Sequence, residues 1–321
     1  MASISCVVIG DSDFPKVLGK LGSHTDIALF NRRDGDFIFS FISPVTFPEK
    51  LQSLLHGVRL SSVAILFAKA VTPELGEAIV ALDEYKIEKG MIVLDGLIKE
   101  QIEPLTRGTV LEGYSYSEKA YAPVIAALKE MSFEPVQGSL RLPLDHFFLT
   151  KTIGTVGVGR VERGAAVLHS NLTMLPTGKT VQVKSLQKQD ENVKEAGYGV
   201  RVGVALKGVS ADEIKRGYIL TDRPEDFIVS ASLQGEFRVN SFFSPGLEPD
   251  QKVQVTVGLQ TETATITEIE GASRLRPGET ASIAVVFDDA RELVYEVGER
   301  FIVSRPELSG LRIVGSGTAL G

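Results

Sequence analysis

The sequence predicts an α/β domain followed by two all-β barrels, and three observations lead there. In the first part of the chain, apolar runs of buried-strand length alternate with segments of helical periodicity, as in an open sheet covered by helices. From Gly138 the helical pattern stops. Short alternating runs take over, separated by Gly, Pro and Asn turns roughly 8–12 residues apart. A second break falls at Thr221-Asp222-Arg223-Pro224, after which strands resume. The expected domains are residues 1–137, 138–223 and 224–321.

In the first domain Ser3–Ile9 is a short β-branched run, and Asp36–Ile42 alternates as DFIFSFI. Ser62–Phe67 and Met91–Leu94 are continuous apolar runs, the mark of strands buried on both faces. Helical patterns cover Pro48–Leu55 and Pro73–Tyr85. The second carries Leu75, Ala78, Ile79 and Leu82 on one face, with Thr72 as N-cap before Pro73. Glu118–Met131 reads as a last helix. The expected sheet is open and mostly parallel. The middle domain opens with LPLDHFF at Leu142–Phe148, runs through GTVGVGRVERG at Gly154–Gly164 and closes at Leu220. Strands of the last domain are expected at Phe227–Leu233, Lys252–Leu259, Thr263–Ile269, Ala281–Phe287, Glu299–Val303 and Leu311–Val314.

Composition excludes several classes. The chain has 321 residues, 43% hydrophobic and 23% charged, which is ordinary for globular domains. No apolar run is long enough to span a membrane. MASISCVVIG enters a strand directly, without a basic region or cleavage site, so no secretory signal is read there. The single cysteine, Cys6, has no internal disulfide partner. Together these features predict a cytoplasmic protein with no membrane partner. The net charge of −7 is unevenly spread: 13 basic against 18 acidic residues in 1–137, 13 against 8 in 138–223, and 8 against 15 in 224–321. A basic middle domain between acidic neighbours points to a polyanion partner.

The middle-domain motifs are more specific than composition. Leu144-Asp145-His146-Phe147 opens the barrel, followed by Gly154-Thr155-Val156 and the turn Gly159-Arg160-Val161-Glu162-Arg163-Gly164. Then come Val183-Lys184-Ser185-Leu186-Gln187, a turn from Ala196 to Gly203, and a closing strand from Ile214 to Leu220. This order resembles the second domain of translational elongation factors, in particular the SelB branch. The last domain adds Val257-Gly258-Leu259-Gln260 and Leu311-Arg312-Ile313-Val314-Gly315. The resemblance implies a P-loop-GTPase-like α/β domain followed by elongation factor Tu-like domains II and III. It is closest to short archaeal SelB-like paralogues with a degenerate GTPase domain.

A phosphate loop of the form GxxxxGK[ST] cradles phosphates with backbone N–H groups, reaches them with Lys and binds Mg²⁺ through the hydroxyl. In frame, Gly10 and Lys16 are present, but Pro15 replaces the second Gly and Val17 the Ser/Thr. Proline removes a donor, and valine has no metal-binding oxygen. The alternative frame on Gly19-Lys20 offers Leu21 where a hydroxyl is needed. The switch element after Asp36–Ile42 reads Ser43-Pro44-Val45-Thr46-Phe47, and the guanine-reading NKxD is replaced by Asp95-Gly96-Leu97-Ile98. The loop is therefore expected to be degenerate, with neither GTP nor Mg²⁺ as cofactor.

Little supports catalysis. The four histidines (His24, His56, His146, His169) have no metal-ligand spacing, and no Gly-x-Ser-x-Gly elbow occurs. The glycines of Gly154–Gly159 do not open a helix and read as barrel bends. The resemblance implies instead a pocket for the aminoacyl end of a tRNA at Asp145, His146 and Arg201. There a carboxylate would hold the α-amino group and a cation would pair with a polar or anionic side chain. The competing reading makes Asp145 and His146 strand-edge residues and Arg201 a solvated cation. Arg160, Arg163, Lys184, Lys188, Lys194 and Lys207 are candidate RNA-phosphate contacts. The expected function is binding of tRNA or aminoacyl-tRNA, or of the ribosome, through the barrels, with no DNA partner. The alternatives are a divergent active GTP-binding factor and a protein-interaction scaffold.

Overall fold

The computed structural model describes residues 2–189 and 191–321. Its first domain is a seven-stranded sheet: β1 Ala2–Ile9, β2 Lys20–His24, β3 Ile27–Asp34, β4 Phe37–Pro44, β5 Val63–Ala68, β6 Gly90–Leu94 and β7 Ser115–Glu118. The strand order is β2-β3-β4-β1-β5-β6-β7. The pairs from β4 through β7 are parallel, and the β2 and β3 pairings are antiparallel. Five helices cover it: α1 Phe14–Leu18, α2 Leu51–Arg59, α3 Pro73–Glu84, α4 Lys99–Thr106 and α5 Tyr121–Lys129.

Period-two alternation in β1 divides the core. Cys6 and Val8 face Phe14, Leu18, Phe39, Phe67 and the α5 residues Val124 and Leu128. Val7 and Ile9 face Leu54, Val58, Ala78 and Leu82 of α2 and α3. Thr72 caps α3 as expected, its Oγ1 accepting from Leu75 N–H at 3.3 Å.

Several expected elements shift. The chain 36–42 is the second half of a β3–β4 hairpin, turning on Gly35 at φ +60° and Asp36. Strand β3 escapes period-two reading because its buried half, Ile27–Phe30, is continuous and its outer half, Asn31–Asp34, is polar. Helix α2 starts at Leu51 rather than Pro48, because Lys50 N–H closes a turn on Thr46 O at 2.7 Å. The expected helix Glu118–Met131 is the shorter α5, Tyr121–Lys129, because Glu118 still belongs to strand β7. The first domain's outer strand β2 and helix α4 carry no strong apolar signal.

In the middle domain, β8 (Leu142–Thr150) and β9 (Gly154–Arg160) lie in a sheet with Arg201–Lys207, Lys179–Lys188, Asn171–Leu175 and Ile219–Thr221; pairing of Asn171–Leu175 with Lys179–Lys188 closes it into a barrel. The last domain is a closed six-stranded barrel of Ser232–Val239, Thr280–Phe287, Gln260–Ile269, Lys252–Val257, Arg300–Ser304 and Ile313–Ala319. The fold is thus the one expected: an α/β sheet domain followed by two β-barrels.

Charged side chains join the three domains. Glu162 accepts from Arg59 at 2.6 and 2.7 Å and from Arg141 at 2.9 Å, and Arg141 reaches Glu296 at 2.6 Å and Glu299 at 2.5 Å. Glu77 of α3 pairs with Arg312, and Glu84 takes bonds from Asn240 and Ser316 of the last barrel.

Candidate functional site

The loop after β1 is four residues long, from Gly10 to Asp13, before the single turn of α1. Gly10 adopts φ +89°, and a Cβ there would sit 2.9 Å from Phe67 O, so the chain needs glycine at this bend. Asp11 is buried. Its Oδ1 accepts N–H bonds from Asp13 at 2.9 Å and Phe14 at 2.7 Å; its Oδ2 lies 2.8 Å from both Lys69 Nζ and Lys119 Nζ. Lys119 also pairs with Asp95 at 2.9 Å. Burial opposes ionisation of Asp11, but the two ammonium groups and two N–H donors outweigh it and hold the carboxyl well below its ordinary range. Pro15 is buried within α1. Lys16 is exposed and pairs with Asp13 at 2.6 Å; Val17 is exposed. Gly19 N–H then bonds Pro15 O, and the chain turns directly into β2.

The structure brings Asp145, His146 and Arg201 together. A bulge in the β8–β9 ladder between Leu144 and His146 makes Asp145 the extra residue, so Leu144 and Asp145 are both buried. Arg201 grips the carboxylate with both terminal nitrogens, Nη2 donating to Oδ1 at 2.6 Å, and His146 Nδ1 lies 2.8 Å from the same oxygen. Burial pushes the Asp145 carboxyl up, but Arg201 and His146 more than offset this and keep it ionised. His146 Nε2 is buried without a partner among the described residues.

Next to the trio is a junction that sequence reasoning missed. Arg216 donates to the Asp145 carbonyl at 3.3 Å, to both oxygens of Asp26 at 2.6 and 2.7 Å, and toward His56 Nδ1 at 3.3 Å. His56 Nε2 lies 3.3 Å from Thr261 Oγ1. With Arg216 donating to Nδ1, the imidazole is the neutral Nε2–H tautomer. One histidine of the first domain therefore touches both barrels. Burial, then the Arg216 charge, push its pKa down to about 3, against a smaller opposing pull from Asp26.

The six candidate phosphate contacts divide. Arg160 is buried, donating to Ser62 Oγ at 2.7 Å and lying over the Tyr198 ring at 5.8 Å. Arg163 pairs with Glu296 at 2.7 Å. Both cations are occupied within the molecule, an arrangement that a count of surface charge does not reveal. Lys184, Lys194 and Lys207 are exposed and Lys188 is half-buried; none has an ion-pair partner among the described residues. Lys184 Nζ reaches Ile153 O at 3.4 Å, at the tip of the β8–β9 hairpin, where Phe148, Leu149 and Ile153 expose apolar surface. Part of the basic excess of the middle domain is spent on its acidic neighbours: Arg141 on the last barrel, Arg216 on the first domain.

Comparison with known proteins supplies the family context. The elongation factor Tu domain 2 family matches residues 154–221. An uncharacterized protein of Methanocaldococcus jannaschii is 29% identical over 304 residues, 94% of each chain. The selenocysteine-specific elongation factor of the same organism is 31% identical over 198 residues, 58% of this chain but 42% of that protein. The crystal structure of translation elongation factor SelB from Methanococcus maripaludis, in complex with the GTP analogue GppNHp, superimposes with a TM-score of 0.82 at 22% identity, covering 99% of this chain and 79% of that one. The chain resembles SelB-type elongation factors. A bacterial selenocysteine-specific factor shares the fold at a TM-score of 0.81 and 19% identity, and this chain spans 58% of its length. The SelB-like resemblance read from the middle-barrel motifs and the three-domain fold it implied both stand.

Proposed function

We propose that this SelB-like chain binds tRNA or aminoacyl-tRNA, or the ribosome, through its middle barrel, and has lost the GTP cycle of its fold. One observation supports the loss above all: the Asp11 carboxylate. It already takes the N–H groups of Asp13 and Phe14 and the ammonium groups of Lys69 and Lys119, so a phosphate arriving there meets an anion of like charge instead of a cradle. Val17 offers no oxygen to a magnesium ion, and Lys16 points to Asp13 in solvent.

Binding is assigned to the exposed lysines and the apolar hairpin tip, which pair phosphate attraction with a surface for bases or protein. The trio Asp145, His146 and Arg201 serves the aminoacyl end by exchange: the α-amino group replaces one Arg201 contact, and the guanidinium turns to the cargo side chain. Filter binding to aminoacylated and deacylated tRNA across a salt series tests this reading. Retention falling steeply with salt, and weaker for deacylated tRNA, is expected. Negligible retention at low salt refutes the RNA-binding reading.

A further inference from the structure

A cleft of about 880 Å³ opens over the carboxyl ends of β1, β4 and β5. Its place follows from topology, because an open α/β sheet leaves a crevice where neighbouring strands send their helices to opposite faces. Here β1 leads to α1 on one face, while β4 and β5 lead to α2 and α3 on the other. With α1 reduced to one turn, the crevice is wide, and its volume is that of a site for a molecule of drug size.

The lining is hydrocarbon where a nucleotide site is polar. Val8, Phe30, Leu66 and Leu75 form the floor, and Leu21 and Val45, 50% and 40% exposed, stand at the mouth. Apolar surface concentrated in a concave site marks a place where something apolar is covered on binding.

Most charges around the cleft pair with one another, and among the described residues Lys20 is the one left to face an anion. Lys16, Lys20 and Lys69 line it against two carboxylates, Asp11 and Glu74. Asp11 shares Lys69 and, from outside the lining, Lys119 with Asp95, and Glu74 at the start of α3 is held ionised by a hydrogen bond from Thr72. Lys20 has no ion-pair partner among the described residues, and Lys16 has only the solvent-exposed Asp13.

We propose that this cleft binds a small organic anion with an apolar body, such as a medium-chain carboxylate or an aromatic sulfonate. The body lies on the floor and the charged group faces Lys20 and Lys16. A nucleoside triphosphate matches it poorly: most of its surface is polar, and the Asp11 carboxylate occupies the ammonium groups beside the cleft. The cleft lies in the first domain, apart from the lysines and hairpin tip of the middle barrel assigned to RNA.

The test uses the full chain and 8-anilinonaphthalene-1-sulfonate as the fluorescent probe. Saturable binding of one probe per chain is expected, with displacement by decanoate and none by GTP with Mg²⁺. Lys20→Glu and Leu21→Asp, both at exposed positions, should each weaken the probe about tenfold without shifting the melting temperature. Lys252→Glu, on the far barrel, should leave it unchanged. Unsaturable binding, equal affinity in all variants, or displacement by GTP would overturn the proposal.

Discussion

Acidification should loosen the three-domain junction through one residue, His56. An unfolded chain takes up this proton near pH 6.5, whereas the folded protein takes it only at about 3. Across that interval the unfolded state holds more protons, so stability is fully present above pH 6.5 and falls as pH falls toward 3. Each pH unit costs about 1.4 kcal/mol per proton withheld, or roughly 2 kcal/mol between pH 6.5 and 5 and about 4 kcal/mol by pH 3. His56 is 1% exposed, so solvent screens these interactions little. The causes are burial of the imidazole first and then Arg216: a proton on Nδ1 would face its guanidinium at 3.3 Å instead of accepting from it. Urea unfolding of the wild type and of His56→Gln at pH 7.5, 6.5, 5.5 and 5 isolates the effect, since the other titrating groups are common to both. The wild type should lose about 2 kcal/mol more than the variant between pH 6.5 and 5. Parallel stability curves would refute the reasoning.

The remaining predictions concern the charged network and the RNA surface. Glu162→Gln leaves Arg59 and Arg141 short of their shared carboxylate, which their charges hold at about 2 against the effect of burial; urea unfolding should show a loss of about 3–5 kcal/mol. Asp11→Asn keeps the shape but not the charge that Lys69 and Lys119 face. It should cost about 1–3 kcal/mol in the same assay and confer no GTP affinity, because Pro15 and Val17 remain. Lys184→Gln with Lys207→Gln should flatten the log–log salt dependence of tRNA binding by about 1 per lysine. Arg163→Gln should leave that slope unchanged, because its charge is spent on Glu296.

The barrels were legible because motif and structure coincide there: the run from Leu144 to Phe147 is a strand with a bulge at Asp145, and Gly154–Arg160 is its partner. Strands β1, β5 and β6 were legible as continuous apolar runs, since both their faces are covered. Strand β2, read as KLGSH, is short and exposed and has no pattern to detect. A Gly-Asp turn at Gly35-Asp36 was the available signal for the β3–β4 hairpin. Sequence could flag the failure of the phosphate loop at Pro15 and Val17. It could not reveal that Asp11 fills the loop's donors, because Lys69 and Lys119 reach it from the ends of β5 and β7. Arg160 and Arg163 looked like RNA contacts for the same reason. Their partners, Ser62 and Glu296, lie in other domains, and only the folded chain shows those cations to be spent.

Isothermal calorimetry of the full chain with GTP and Mg²⁺ tests the central claim most directly. If Asp11 fills the phosphate position and no hydroxyl stands at Val17, the titration should show no saturable heat into the millimolar range. Micromolar binding that requires magnesium would contradict the account.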